Sequence, residues 1–157
     1  MIDVCLAGTG GMLPLPDRWL TCFWIEYNGR ACLIDCGEGT QITLAKNGCK
    51  LSRLDALFIT HVHADHISGL PGLLLSLGNC GKTGTLKIYG HTGITDIIDK
   101  LCCICPVLPF ELEIHELSLK NISEVKWNDI DVRSLPMRHK TDCLGYSFTL
   151  NRKPVFN

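Results

Sequence analysis

Four possible metal donors lie within the six residues HVHADH, where the chain places two histidines, an aspartate and a further histidine. His61 and His63 are two positions apart, so in an extended segment their side chains point to the same side and can share one ion. Asp65 and His66 follow directly and add a carboxylate and a third imidazole. Imidazole nitrogen and carboxylate oxygen are ligands that Zn²⁺ accepts, with manganese or iron as alternatives. The spacing favours a metal site over histidines on a polar surface loop.

The segments on either side of these donors indicate how they are positioned. Residues 54–60 (LDALFIT) are apolar and short, which predicts a buried strand that ends where the donors begin. The first two histidines are not four positions apart, as in the helical HExxH motif, so a strand-to-loop geometry is favoured. Downstream, residues 70–77 carry leucines at helical spacing, which predicts a core-facing helix with a packing role.

Two hairpins are predicted elsewhere in the chain. Asn28-Gly29 joins two β-rich runs, 21–27 and 30–35, and both residues of this pair tolerate positive φ. The second run ends at Asp35, next to a predicted short helix, where a carboxylate can serve as a simple helix cap. A later hairpin, over residues 125–135, leads to His139.

Length and composition bound the possible architectures and partners. With 157 residues and 46% hydrophobic content, the chain can form one core and is most simply one domain. The alternation of strands and helical stripes argues for a layered α/β architecture. The net charge is −1, so a nucleic acid would have to be attracted by a local patch or by bound metal ions.

The strand that ends in HxHxDH resembles the metallo-β-lactamase fold, and three further stretches resemble its ribonuclease Z branch. These stretches are DCGEGTQ at 35–41, GLPGLL at 69–74, and His139 shortly before Leu-Gly-Tyr at 144–146. The resemblance covers nearly the whole chain. It implies an αββα sandwich, of which this chain would supply the first half and part of the second.

The resemblance also implies a site with two Zn²⁺ ions and five donors from this chain. The donors are His61, His63 and His139 for one ion, and Asp65 and His66 for the other. Asp65 would act as the catalytic residue that handles the proton of the attacking water. Asp35 would orient the histidine loop through hydrogen bonds rather than cap a helix. The glycine loop that begins near Gly8 would lie beside the metal centre.

The reaction implied by the resemblance is hydrolysis of a phosphodiester, the endonucleolytic removal of the 3′ trailer from precursor tRNA. Precursor tRNA is therefore the expected partner. Two other interpretations remain open. One is a hydrolase of the same fold that acts on a small ester, a cyclic phosphate or a sulfate. The other is a non-catalytic metal-binding half that pairs with another chain.

The resemblance also concerns two metal ligands and a substrate-binding arm that the family carries in its later sequence. Its bridging aspartate and last histidine ligand would come after Asn157, and residues 152–157 resemble the start of the basic insertion that forms the tRNA-gripping arm. Four residues of this chain could substitute for the two missing ligands, although none matches the family pattern. They are His91, His115, Asp131 and Asp142. We expect residues 1–157 to be one truncated domain that is inactive alone, exposes an apolar sheet face and forms a homodimer.

Three further expectations concern location, cysteines and a surface arginine. The chain has no signal peptide and no membrane-length apolar run, so we expect a cytoplasmic protein with reduced thiols and no membrane contact. Cys102, Cys103 and Cys105 lack a CxxC pair and are interpreted as small buried hydrophobes rather than a zinc site. Arg18 partly matches a basic position of the family and could contact phosphate, although a solvated arginine is the simpler interpretation.

Overall fold

A computed structural model describes residues 1–151 of the chain. This part of the chain contains a six-stranded mixed sheet, a three-stranded antiparallel sheet, four α-helices and a short 3-10 helix at Leu51–Arg53. The strands of the larger sheet are β1 (Ile2–Gly8), β2 (Cys22–Tyr27), β3 (Arg30–Ile34), β4 (Leu54–Phe58), β5 (Leu86–His91) and β6 (Leu112–Leu117). Those of the smaller sheet are β7 (Ser123–Trp127), β8 (Ile130–Pro136) and β9 (Leu144–Leu150). The helices are α1 (Thr40–Lys46), α2 (Ala64–Ile67), α3 (Leu70–Asn79) and α4 (Ile94–Leu101).

The strands of each sheet neighbour one another in sequence order. The first three strands are antiparallel, and the predicted turn at Asn28 and Gly29 is confirmed by their φ values of 50° and 73°. From β3 to β6 the strands run parallel. Parallel strands end at the same edge of a sheet, so the segments that follow β3 and β4 emerge side by side. That edge carries the predicted metal donors.

Two hydrophobic cores separate the chain into layers. The helices cover one face of the larger sheet, and the predicted leucine stripe of α3 is fully buried there at Leu70, Leu73, Leu74 and Leu77. The second core lies between the two sheets, where the Phe58 ring stacks on Tyr89 at a centroid distance of 4.8 Å. The described range therefore shows helices, sheet and sheet, three layers of the predicted αββα sandwich. None of its helices is long and apolar enough to cross a bilayer.

Three apolar side chains of β1 are exposed, and one of them pairs with a buried residue of β2. Val4 pairs directly with Ile25, and paired residues lie on the same face of a sheet. Ile25 is 6% exposed in the core between the sheets, whereas Val4 is 55% and Leu6 is 65% exposed. We call the exposed apolar side chains of β1, which are Ile2, Val4 and Leu6, the β1 face. It is an exposed apolar patch on the edge strand of the larger sheet.

The cysteines around residue 103 behave only partly as predicted. Cys102 and Cys105 pack against the core under the helices, as expected for small hydrophobes. Cys103 is exposed, so the interpretation as a buried residue is wrong for this position. The reason is local: α4 ends at Leu101, and the turn that follows points one of the three thiols to solvent.

Candidate metal centre

The candidate site lies where β3 and β4 end. The Asp35 amide donates to the Phe58 carbonyl at 2.9 Å, which keeps the two strands paired up to the edge of the sheet. Asp35 is buried and adopts φ 59°, a left-handed conformation that aspartate tolerates better than most residues. The Asp35 carboxylate and the histidines after β4 are therefore brought together by the parallel pairing of their strands.

Three histidines converge on one point beyond this edge. Nε2 of His61 lies 3.1 Å from Nδ1 of His63, and Nε2 of His139 lies 3.4 Å from the same atom. The three nitrogens all lie within 4.8 Å of one another. His139 reaches the cluster from the segment between β8 and β9. The Leu144 amide, at the start of β9, donates a hydrogen bond to the Thr60 carbonyl at 2.9 Å, which ties the smaller sheet to the site.

These separations fit a shared metal ion. Four ligands at zinc–nitrogen distances of about 2.0–2.1 Å in a tetrahedron are roughly 3.3–3.4 Å apart. The two measured nitrogen separations lie close to that value. The histidine cluster therefore has the chemistry and the geometry to bind a metal ion.

Asp65 and His66 lie beside the three-histidine cluster, and the rings of His66 and His61 are 4.0 Å apart between centroids. Nε2 of His66 faces Oδ2 of Asp65 at 3.7 Å. The same carboxylate oxygen accepts the Met12 amide proton at 3.1 Å, which places the glycine loop next to the site. Asp65 and His66 both lie on the short helix α2, which begins directly after His63.

Asp35 holds two of the histidines in place. Its Oδ2 accepts a hydrogen bond from Nδ1 of His66 at 2.7 Å. Its carboxylate also accepts the Thr60 hydroxyl proton at 2.8 Å, and that hydroxyl can in turn accept Nδ1–H of His61 at 3.0 Å. Both imidazoles then carry their proton on Nδ1 and leave Nε2 free for a metal ion. The capping interpretation of Asp35 is wrong, since Gly39 precedes α1 and no side chain caps it.

Two contributors were not recognised in the sequence. Thr60 bridges Asp35 and His61, and its only sequence signal is a hydroxyl residue immediately before the histidine motif. Met12 acts through its backbone amide on Asp65, at φ 60°. A backbone contact between residues so distant in sequence leaves no local pattern that could have predicted it.

The pKa values of His61 and His66 are shifted in opposite directions. Burial, together with the neighbouring His66, lowers the pKa of His61 to about 4, so this ring is neutral at physiological pH. Burial also acts to lower the pKa of His66, but the hydrogen bond and charge of Asp35 outweigh it and the pKa is raised. For Asp65 burial is outweighed by the Met12 amide and by His66, so its pKa is lowered and the carboxylate is ionised.

Within the described range, the candidate substitutes do not join the three-histidine group. These are His91, His115, Asp131 and Asp142. His91 is buried, and its Nδ1 bonds to the Thr92 carbonyl oxygen at 2.8 Å. The His115 ring stacks on Tyr89 at 4.9 Å.

Arg18 lies on the glycine loop rather than in the cluster. Its Nη2 donates to the Thr9 carbonyl at 2.7 Å, and its Nε donates to the same oxygen at 3.1 Å. The guanidinium therefore braces the loop that carries Met12, a role that neither sequence interpretation included. The predicted basic insertion at residues 152–157 lies outside the described residues.

Comparisons with known proteins identify the relatives of this chain. Residues 2–157 match the family described as "Anti-Pycsar protein Apyc1". The chain is 46% identical over 157 residues to a ribonuclease Z of Agathobacter rectalis, covering all of this chain and 52% of that protein. Among solved structures it resembles human tRNase Z, short form, with a TM-score of 0.84 and 30% identity over 96% of this chain and 65% of the other. It also resembles the metallo-beta-lactamase fold protein YhfI of Bacillus subtilis, with a TM-score of 0.75 and 21% identity over 94% of this chain and 58% of the other.

The predicted resemblance to ribonuclease Z and the predicted metallo-β-lactamase fold are confirmed by these relatives. The chain spans about half the length of the curated relatives it matches.

Proposed function

This chain belongs to the family described as Anti-Pycsar protein Apyc1, and we propose that it carries the metal centre of a phosphodiester-cleaving enzyme of the ribonuclease Z type. Its reaction is the endonucleolytic removal of the 3′ trailer from precursor tRNA in the cytoplasm, with a 3′-hydroxyl left on the tRNA. The observation that carries this proposal is the convergence of three imidazole nitrogens on one point, with a carboxylate and a fourth imidazole beside it. The names of the relatives, ribonuclease Z and tRNase Z, support the choice of substrate.

The donor set is suited to two Zn²⁺ ions. His61, His63 and His139 would hold the first, and Asp65 with His66 would contribute to the second. Manganese or iron could use the same nitrogen and oxygen donors. When bound, such ions make water acidic enough to attack and neutralise charge on the phosphate.

Asp65 is the residue to which we assign the movement of a proton. Its carboxylate is ionised because the Met12 amide and His66 hold its pKa below the usual value against the effect of burial. One carboxylate oxygen faces the site, where it can accept the proton of the attacking water. The Met12 hydrogen bond fixes the direction of that oxygen at 3.1 Å.

The five donors form part of a larger centre. Bridging carboxylate and histidine ligands would come from a further polypeptide segment, either a continuation of this chain or a partner. The β1 face offers apolar surface to such a segment, and to a second copy in a homodimer. The 157 residues alone would then bind at most one metal ion firmly and would not cut precursor tRNA.

The test fuses this chain to the part of Agathobacter rectalis ribonuclease Z that it does not match. The fusion is loaded with Zn²⁺ and given a transcript with a 3′ trailer. We expect release of the trailer and a 3′-hydroxyl end, and no release by a His63→Ala fusion. A fusion that binds zinc but leaves the transcript intact would refute the proposed substrate. Cleavage by the isolated 157-residue chain would refute its dependence on a second segment.

A second candidate is hydrolysis of a small cyclic phosphodiester. It needs the same metal donors, and the matched family is described as an anti-Pycsar protein and not as a ribonuclease. The same fusion is therefore assayed with bis-p-nitrophenyl phosphate and with a cyclic mononucleotide. Turnover of these compounds without trailer release would support the second candidate.

A non-catalytic metal-binding role is tested by partner binding. Replacement of His63 by Ala should abolish metal binding and leave association through the β1 face intact. Loss of both would count against a pure interaction role.

A further inference from the structure

A cavity of about 660 Å³ lies at the end of the sandwich opposite the metal centre. Its lining includes Leu54 and Lys87, near the starts of β4 and β5, whereas the metal donors follow the end of β4. At about 3.3 Å per residue, the length of β4 separates the two places by roughly 15–20 Å. A ligand in this cavity would not touch the histidines.

The cavity is lined by more positive than negative charge. Its cationic side chains are Arg30, Arg53, Lys82, Lys87 and Lys126. Three of them form ion pairs with carboxylates. The other two, Lys82 and Lys126, have no ion-pair partner within residues 1–151. The cavity therefore has a surplus of cationic groups that an anion could neutralise.

Lys82 is unusual among these cations because it is only 5% exposed. Its Nζ donates to the Leu54 carbonyl at 2.8 Å and lies 5.8 Å from the centre of the Phe110 ring. One carbonyl can satisfy one of the three ammonium protons. Burial of a charged group is costly unless it is paired and hydrogen-bonded, so this ammonium is suited to a further acceptor.

A second buried donor lines the same cavity. Nδ2 of Asn128 is buried and has no hydrogen-bond acceptor in the part of the chain that the structure describes. Buried polar groups in folded proteins almost always have a partner. Thr83 also lines the cavity and can add a hydroxyl donor.

We propose that this cavity binds a small phosphorylated anion through Lys82, Lys126 and Asn128. A phosphate group carries nearly two negative charges and several strong acceptor oxygens, which match two ammonium groups and an amide. The volume falls within the range of about 300–1,000 Å³ that is typical of small-molecule sites, so a nucleoside monophosphate can enter. The proposal does not depend on the proposed function, because the cavity and the metal centre share no residue.

The test uses the full chain with His63→Ala in EDTA, so that phosphate has no metal site to occupy. Binding of inorganic phosphate and of adenosine monophosphate is measured by calorimetry. We expect one site, weakened at least about tenfold by Lys82→Met and by Lys126→Gln, since each removes a charge-assisted hydrogen bond. Lys126 is exposed, so Lys126→Gln reports on the site even if Lys82→Met impairs folding.

Lys100→Gln is the matched control, because this exposed lysine lies on α4 and pairs with Asp96 outside the cavity. It should bind phosphate like the parent. Tighter binding of the nucleotide than of inorganic phosphate would identify a nucleotide as the source of the group, and equal binding would identify the phosphate alone. Absence of binding, binding that both lysine variants retain, or binding of a short RNA oligomer only would overturn the proposal.

Discussion

His66 and Asp35 are joined by a hydrogen bond of 2.7 Å between Nδ1 and Oδ2, which connects the short helix α2 to the end of β3. The other oxygen of the same carboxylate accepts the Thr60 amide at 2.8 Å. A single buried acid therefore sets the orientation of the loop that carries most of the metal donors.

Asp35→Asn should weaken metal binding although Asp35 does not belong to the three-histidine cluster. The amide is neutral and can present a donor to Nδ1 of His66, so the ring loses its fixed tautomer. Loss of such an orienting group typically costs about 10–100-fold in metal affinity. Zn²⁺ titration with a competing chelator measures the change. Asp142→Asn, at an exposed position, is the control and should bind like the parent; equal affinities for both variants would contradict the role of Asp35.

Thr60→Val should reduce metal affinity, and Thr60→Ser should preserve it. Valine has the shape of threonine but cannot pass the hydrogen bond from His61 to Asp35, whereas serine keeps the hydroxyl. Both variants are compared by chelator competition and by thermal unfolding without metal. A merely structural role would lower the unfolding temperature and leave the affinity unchanged. Equal affinity of the valine and serine variants would show that the hydroxyl does not position His61.

The metal-free protein should lose stability relative to His61→Asn as the pH falls from about 6.5 to about 4. Burial and the adjacent His66 lower the pKa of His61 from 6.5 to about 4. In that window the unfolded chain binds a proton at His61 that the folded chain does not bind. The free energy of unfolding therefore decreases as the pH is lowered. The asparagine variant has no such titration at this position.

Denaturant unfolding at several pH values in EDTA measures this difference. His66, whose pKa is raised, acts in the opposite sense but is present in both proteins, so the comparison reports mainly on His61. A difference that does not change between pH 7 and pH 4 would contradict the burial of a neutral His61.

Val4→Asp should reduce self-association of the chain. A charge in the centre of the β1 face opposes burial of Ile2 and Leu6 against any partner. Sedimentation velocity should show dimers of the parent and mainly monomers of the variant. Val107→Asp is the control, because Val107 is 99% exposed and lies far along the chain from β1. A monomeric parent, or equal loss in both variants, would contradict the role of this face.

Much of the fold followed from residues that are close together in sequence. The strand before His61, the Asn28-Gly29 turn and the leucine stripe of α3 are local patterns, and local patterns carry secondary structure. The same holds for the donor cluster at His61–His66, since its residue types and spacing alone predicted metal chemistry. His139 and the role of Asp35 came only from the resemblance to ribonuclease Z, because no local spacing connects either residue to the motif.

The sequence by itself determined which side chains could bind a metal ion and which segments form strands and helices, because both depend on neighbours a few positions away. Only the tertiary structure decided which of these groups meet. Parallel pairing of β3 and β4 set Asp35 against His66, and packing of the smaller sheet brought His139 to His63. It also left Val4 exposed beside a buried Ile25, since burial depends on what the rest of the chain covers and not on the alternation of a single strand.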